Sequence, residues 1–168
     1  MKTLTLATGI VLLAGTTAFA QAPPPVTGPL LDKKVITLDF AKKIAAGAEQ
    51  KAAENNWTVV IAIVDEGGQL IYLARRDGTQ FGSVDVAIHK AVTAAAFKRP
   101  TKVFEQAIAG GRMALLGLRG ALPLEGGLPL VFDGKVIGAI GVSGVTAEQD
   151  GIVAKAGADQ CACAEMYK

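Results

Sequence analysis

Histidine and cysteine are scarce in this chain: among 168 residues there is one His, His89, and two Cys, Cys161 and Cys163. One histidine without a supporting triad pattern argues against hydrolase chemistry. Ser143, in Gly141-Val142-Ser143-Gly144, also lacks the G-x-S-x-G spacing of a nucleophile elbow. Two cysteines without a histidine pair make a poor zinc site. On a helix, residues two apart point about 200° away from each other, so Cys161 and Cys163 cannot readily bridge. Free thiols, a strained bond at a frayed end, or a bond to another subunit remain open. Aromatic residues make up only 5%, and the basic residues behind the formal charge of +2 are scattered. No Lys/Arg stripe with interleaved aromatics occurs, so a nucleic-acid partner is not expected.

Long apolar runs are also missing, apart from the N-terminal stretch. Thr5 to Thr17 is apolar but broken by Gly9 and Gly15, and it is too short to span a membrane. Met1-Lys2 supplies a minimal basic start and Ala18-Phe19-Ala20 a small-residue cleavage site, so residues 1–20 read as a secretory signal peptide. No twin-arginine pair is present, which implies export unfolded and any cofactor acquired afterwards. Residues 21–34, with Pro23, Pro24, Pro25 and Pro29, read as a flexible lead-in, and residues 35–168 as one domain. A soluble periplasmic or secreted protein, without membrane association after cleavage, is the expectation.

What the domain does have is a clear alternation of element signals. Thr37 or Asp39 can cap a helix to about Asn55, with Leu38, Ala41, Ile44, Ala45, Ala48 and Ala52 on one stripe. Thr58–Val64 is apolar on both faces, as a central strand would be, and Asp65-Glu66-Gly67-Gly68 turns it into a second strand, Gln69–Ala74. A helix over Phe81–Lys98 with Ser83 as cap, and a shorter one capped by Thr101, come next. Met113–Gly127 could hold a short strand but is punctuated by glycine and proline. Leu128–Phe132 and Lys135–Val142 form a hairpin on Asp133-Gly134, with Gly138 and Gly141 positioned for close approach of a helix or ligand. Thr146 with Gln149 is a capping box for a last helix to about Tyr167. Two hairpins flanked by helices predict an α+β domain with a sheet of about five strands in three layers.

Four motifs stand in register along the chain. They are Val64-Asp65-x-x-Gly68-x-Leu70 with Arg75-x-Asp77-Gly78; Ala87-x-x-Lys90-Ala91-x-Thr93-Ala94; Gly126-Gly127-x-Pro129; and Gly134 with Ile137 to Gly144, followed by Asp150. Together they resemble the GlcG/HbpS-like family, described as haem-binding or haem-degrading, which includes the C-terminal domain of a corrinoid adenosyltransferase. The resemblance runs from Ile36 to Ala158. It implies a profilin-like α/β/α fold with a five-stranded antiparallel sheet, often in large homo-oligomers. It also implies haem as a ligand of exported members, while other members sit near glycolate or diol pathways with no clear activity.

The candidate site centres on the loop Arg75-Arg76-Asp77-Gly78. Arginine grips a carboxylate, such as a haem propionate or a small organic acid, through paired hydrogen bonds. Equally, Asp77-Gly78 serves a plain turn and Arg76 pairs with a nearby carboxylate. Lys90 and Thr93, three apart on a helix, can line the same cleft; alternatively Lys90 reaches solvent and Thr93 bonds back to its own helix. His89 is the obvious axial ligand for haem iron, against the reading of a solvated surface histidine, with Tyr72 and Met113 as weaker ligands. Gly126 and Gly127 can form an amide nest for an anion, or simply serve turns and close packing. These readings predict an exported small-ligand-binding protein, with haem as the first cofactor to consider. An enzyme acting on a small hydroxy- or oxo-acid through Lys90 or Asp77, and a ligand-free accessory oligomer, are the alternatives.

Overall fold

A computed structural model of the chain describes Pro29 and residues 33–161. The expected signal peptide, nearly all of the lead-in, Cys163 and Tyr167 lie outside the described residues. Helix α1 (Leu38–Glu54) begins where the Thr37 hydroxyl accepts the Phe40 amide at 3.2 Å, and it buries the stripe Ala41, Ile44, Ala45, Ala48 and Ala52. Strands β1 (Val60–Asp65) and β2 (Leu70–Arg75) form the first hairpin. In its turn Asp65 Oδ1 accepts the amides of Gly67 and Gln69 at 2.9 and 2.8 Å, and Gly68 takes φ 81°. Helices α2 (Ser83–Phe97) and α3 (Thr101–Ala109) come next, then a 3-10 turn at Met113–Gly117. Strands β3 (Gly127–Phe132) and β4 (Lys135–Ser143) make the second hairpin, with Asp133 and Gly134 both at positive φ, as a two-residue hairpin loop requires. Helix α4 (Ala147–Ala158) starts at the Thr146–Gln149 capping box.

The described sheet is antiparallel throughout, in the order β2-β1-β4-β3. It has four strands where five are expected. The candidate for the missing strand, Met113–Gly127, folds instead as the 3-10 turn and a loop up to Gly127, which opens β3, with Gly120 at φ 75° and Gly126 at φ 124°. Such backbone cannot keep a ladder. Side chains alternate across the sheet as the strand period demands. Val59, Ile61, Ile63, Ile140 and Val142 share one cluster with the buried residues of α1 and α4. On the opposite face Val60, Ala62, Val64 and Ala139 meet alanines of α2, namely Ala87, Ala91, Ala94 and Ala95.

That second face owes its closeness to glycine. Gly127 and Gly141 are register partners, and a Cβ on Gly141 would lie 2.0 Å from Ala87 O, one on Gly127 2.3 Å from Lys90 O. The group that approaches these glycines is therefore the backbone of α2.

Three expected caps or ends differ. Ser83 lies inside α2, buried, with its hydroxyl 3.3 Å from that of Ser143, and Gly82 holds the cap position. Thr101 is likewise the first residue of α3; its hydroxyl accepts the Gly127 amide at 2.9 Å, so Pro100 stands at the cap. Helix α4 stops at Ala158 rather than near Tyr167, where the chain turns to bury Cys161 with its sulfur 3.6 Å from Val131 O.

Candidate functional site

The β1–β2 register fixes the geometry of the arginine loop. Val60 opposes Arg75, and the Arg76 amide extends the ladder by donating to Val59 O at 3.0 Å. Just beyond, Thr79 N donates to Arg76 O at 3.1 Å, with Gly78 at φ 80°, so Arg76–Thr79 is a closed turn built from backbone alone. The hairpin thereby sets this turn beside the residues that lead into β1. Asn56, Trp57, Thr58, Arg75, Arg76 and Asp77 line a hollow of about 500 Å3. Asn56, Trp57 and Thr58 carry no chemical motif in the sequence; the readable signal is the hairpin itself, which brings the residues before β1 against those after β2.

Both guanidinium groups are oriented by uncharged partners. Arg76 Nη1 donates to Trp57 O at 2.9 Å. Arg75 Nη1 reaches Thr79 O at 3.4 Å, and its guanidinium lies 4.5 Å above the ring of Phe81, which is 82% exposed. Among the described residues neither arginine, nor Asp77, forms an ion pair. The reading of Arg76 as one half of a salt bridge is thus replaced by a carbonyl contact that leaves its charge uncompensated.

Lys90 does not line this hollow. It sits at 2% exposure, where Nζ donates to Asp150 Oδ2 at 2.8 Å and to Val142 O at 3.0 Å. Neither a cleft-facing nor a solvent-reaching lysine describes it: it is the centre of a closed ion pair joining α2, β4 and α4. Asp150, also 2% exposed, is the partner that sequence reasoning left unassigned. Burial pushes its carboxyl above the ordinary aspartate range, against the pull of the Lys90 ammonium and the amides of Val145 and Gly144. Gly126 closes the pocket, since a Cβ there would come within 2.9 Å of Lys90 Nζ. Gly126 and Gly127 therefore stand against Lys90 and Thr101, in close packing.

Thr93 bonds back to its helix, donating to His89 O at 2.7 Å, and it accepts the Leu122 amide at 2.8 Å. Its hydroxyl pins the loop before β3. His89 is exposed on α2, Met113 is 57% exposed on the 3-10 turn, and Tyr72 directs its hydroxyl at Glu49, 3.5 Å away. Burial, then the Glu49 carboxylate, raises the Tyr72 phenol above its usual range. Among the described residues no group of three or more His, Cys, Asp or Glu could hold a metal ion.

With this geometry in place, the comparison with known sequences is decisive for kinship. The family model described as "Haem degrading protein HbpS-like" matches residues 36–159. The chain belongs to the HbpS-like family. Protein GlcG of Escherichia coli K12 is 42% identical to it over 111 residues, 66% of this chain and 83% of GlcG. A double mutant of Streptomyces reticuli HbpS superposes with a TM-score of 0.71 at 32% identity, over 83% of this chain and 97% of that one. The structure of a PduOC:heme complex superposes with a TM-score of 0.69 at 27% identity, covering 76% and 95% of the two chains.

The residues of this HbpS-like chain fit haem in part. Two arginines without carboxylate partners suit propionates. None of the six residues lining the hollow, however, is a His, Cys, Met or Tyr, the side chains that ligate haem iron. Trp57 is the one aromatic residue among the six.

Proposed function

We propose that this HbpS-like protein is an exported binder of a small carboxylate-bearing ligand, held at the hollow between Arg75, Arg76 and Asp77. The observation that carries this reading is the pair of guanidinium groups, each oriented by carbonyl or ring contacts and neither neutralised by a carboxylate among the described residues. A volume of about 500 Å3 falls in the range of small-molecule sites, roughly 300–1,000 Å3. Haem is the first ligand to test, because the family description and the heme-bound relative both name it. One propionate would meet Arg75 and Arg76. The iron ligand would come from outside the hollow, with His89 on α2 as the candidate in this chain. The export part of the proposal is supported by the signal-like residues 1–20, and would put the mature protein in the periplasm or outside the cell.

The enzymatic alternative finds no support in the geometry of Lys90, whose ammonium is enclosed by Asp150, Val142 O and the Gly126 backbone. Assembly into a homo-oligomer is part of the proposal, since Val103, Met113, Leu116 and Leu124 leave apolar surface exposed along one segment.

Titration with haem, read by the Soret band, tests the leading reading together with Arg76→Ala. Loss of one charge-assisted contact of ~1.5–3 kcal/mol should weaken binding by about tenfold or more. A wild-type protein that yields no Soret shift, and no response to any carboxylate, would sink it.

A further inference from the structure

Resting on the reading that the arginines of the hollow bind a carboxylate, we propose that the hollow is a site for a small monocarboxylate with a hydrogen-bond donor beside its carboxyl group. Arg75 and Arg76 grip the carboxylate, and Asp77 selects the donor.

Three observations lead there. First, the arginines retain their charge: one nitrogen of each is used, and the acceptors are the carbonyls of Trp57 and Thr79. Second, the same hollow is lined by a carboxylate, Asp77, which makes no ion pair among the described residues and which the backbone turn does not need. An acceptor-only group lining a binding site repels a second anionic group of the ligand and rewards an O–H or N–H. The fixed charges of Arg75, Arg76 and Asp77 sum to one positive charge, which a monoanion balances. Third, the remaining lining is Asn56 and Thr58, which are polar, and Trp57, which is partly buried and packs against the core. A short polar acid fits this surface better than a large apolar ring, and the absence of any iron-ligating side chain among the lining residues agrees.

Trp57 is the only tryptophan in the chain, so its fluorescence reports on the hollow directly. The probes are four three-carbon acids: propionate with no donor, lactate with a hydroxyl, alanine with an ammonium, and malonate with a second carboxylate. In the wild-type protein lactate or alanine should bind at least about fivefold tighter than propionate, and malonate weakest, the scale of one added hydrogen bond. The better of the two donors identifies the ligand's group. Asp77→Ala, which removes the acceptor together with the charge, should bring lactate, alanine and propionate within about twofold of each other and improve malonate. Equal binding of propionate, lactate and alanine to the wild type, with Arg76→Ala still weakening all three, would overturn the role of Asp77 and leave the arginine site standing. No response from any of the four acids would overturn the small-acid proposal, and haem likewise unbound would remove the arginine site with it.

Discussion

At the scale of single residues the most consequential group is the Lys90–Asp150 pair. Two charges taken out of water cost several kcal/mol each, and their attraction repays this only when all hydrogen-bonding positions are filled. Here each charged atom has a partner: Asp150 Oδ1 accepts from Val145 N at 3.2 Å, Oδ2 from Lys90, and Lys90 also donates to Val142 O. Removing one partner leaves the other charge buried. Lys90→Met should therefore cost about 3–5 kcal/mol in chemical denaturation, whereas the double variant Lys90→Met with Asp150→Leu should recover most of that loss. Asp150 also carries a pH signature. Its folded pKa lies above the ordinary 3.8, so folding takes up a proton at this site. The stability it contributes is complete below the unfolded pKa and fades as pH rises through the folded one. Carboxyl carbon NMR should place the Asp150 midpoint above 3.8, and higher still in Lys90→Met, where the opposing ammonium is gone. A midpoint at or below the ordinary value would contradict the burial account.

At the scale of elements, the closest contact is between α2 and the glycines of β3 and β4. An added methyl on Gly141 meets the α2 backbone at Ala87 O and Ala91 N, not a side chain able to swing away. Gly141→Ala should thus push the helix off the sheet and cost about 3 kcal/mol or more, at the upper end of overpacking penalties. Gly117→Ala, with open space around it and no positive φ, should change the thermal midpoint little. These elements were largely legible in the sequence. Turn chemistry at Gly67-Gly68 and Asp133-Gly134 and the alanine stripe of α1 each have a local physical cause, and both hairpins and all four helices form where they point. The ends were less legible, because the hydroxyls of Ser83 and Thr101 are taken by tertiary partners, Ser143 and Gly127, that no local pattern announces. The candidate site divides in the same way. Arg75, Arg76 and Asp77 share a hollow because they are neighbours on one loop, but Lys90 and Thr93 face other parts of the fold, and helical spacing alone cannot say which wall a face meets.

At the scale of the whole molecule, the question is what covers the segment from α3 to β3. Helix α3 buries only Thr101 and Phe104, and the 3-10 turn it packs against buries nothing. Leu116 is 61% exposed there, close to Met113 in sequence, with Val103 and Leu124 also exposed. Isolated exposed apolar side chains need no explanation; several along one segment are what the proposed assembly would cover. Light scattering on protein lacking residues 1–20 should return a multiple of the monomer mass. Leu116→Asp, which plants a charge in that surface without touching the core, should shift it to monomer with unchanged circular dichroism. The variant also separates two modes of haem binding. The arginine hollow contains no iron ligand, so a haem ligated through a contributed side chain of a second copy requires assembly. In that case the Soret signal disappears with the oligomer while small acids still quench Trp57. If both signals survive in a monomeric Leu116→Asp, the iron ligand lies within a single chain, and His89→Ala becomes the deciding substitution.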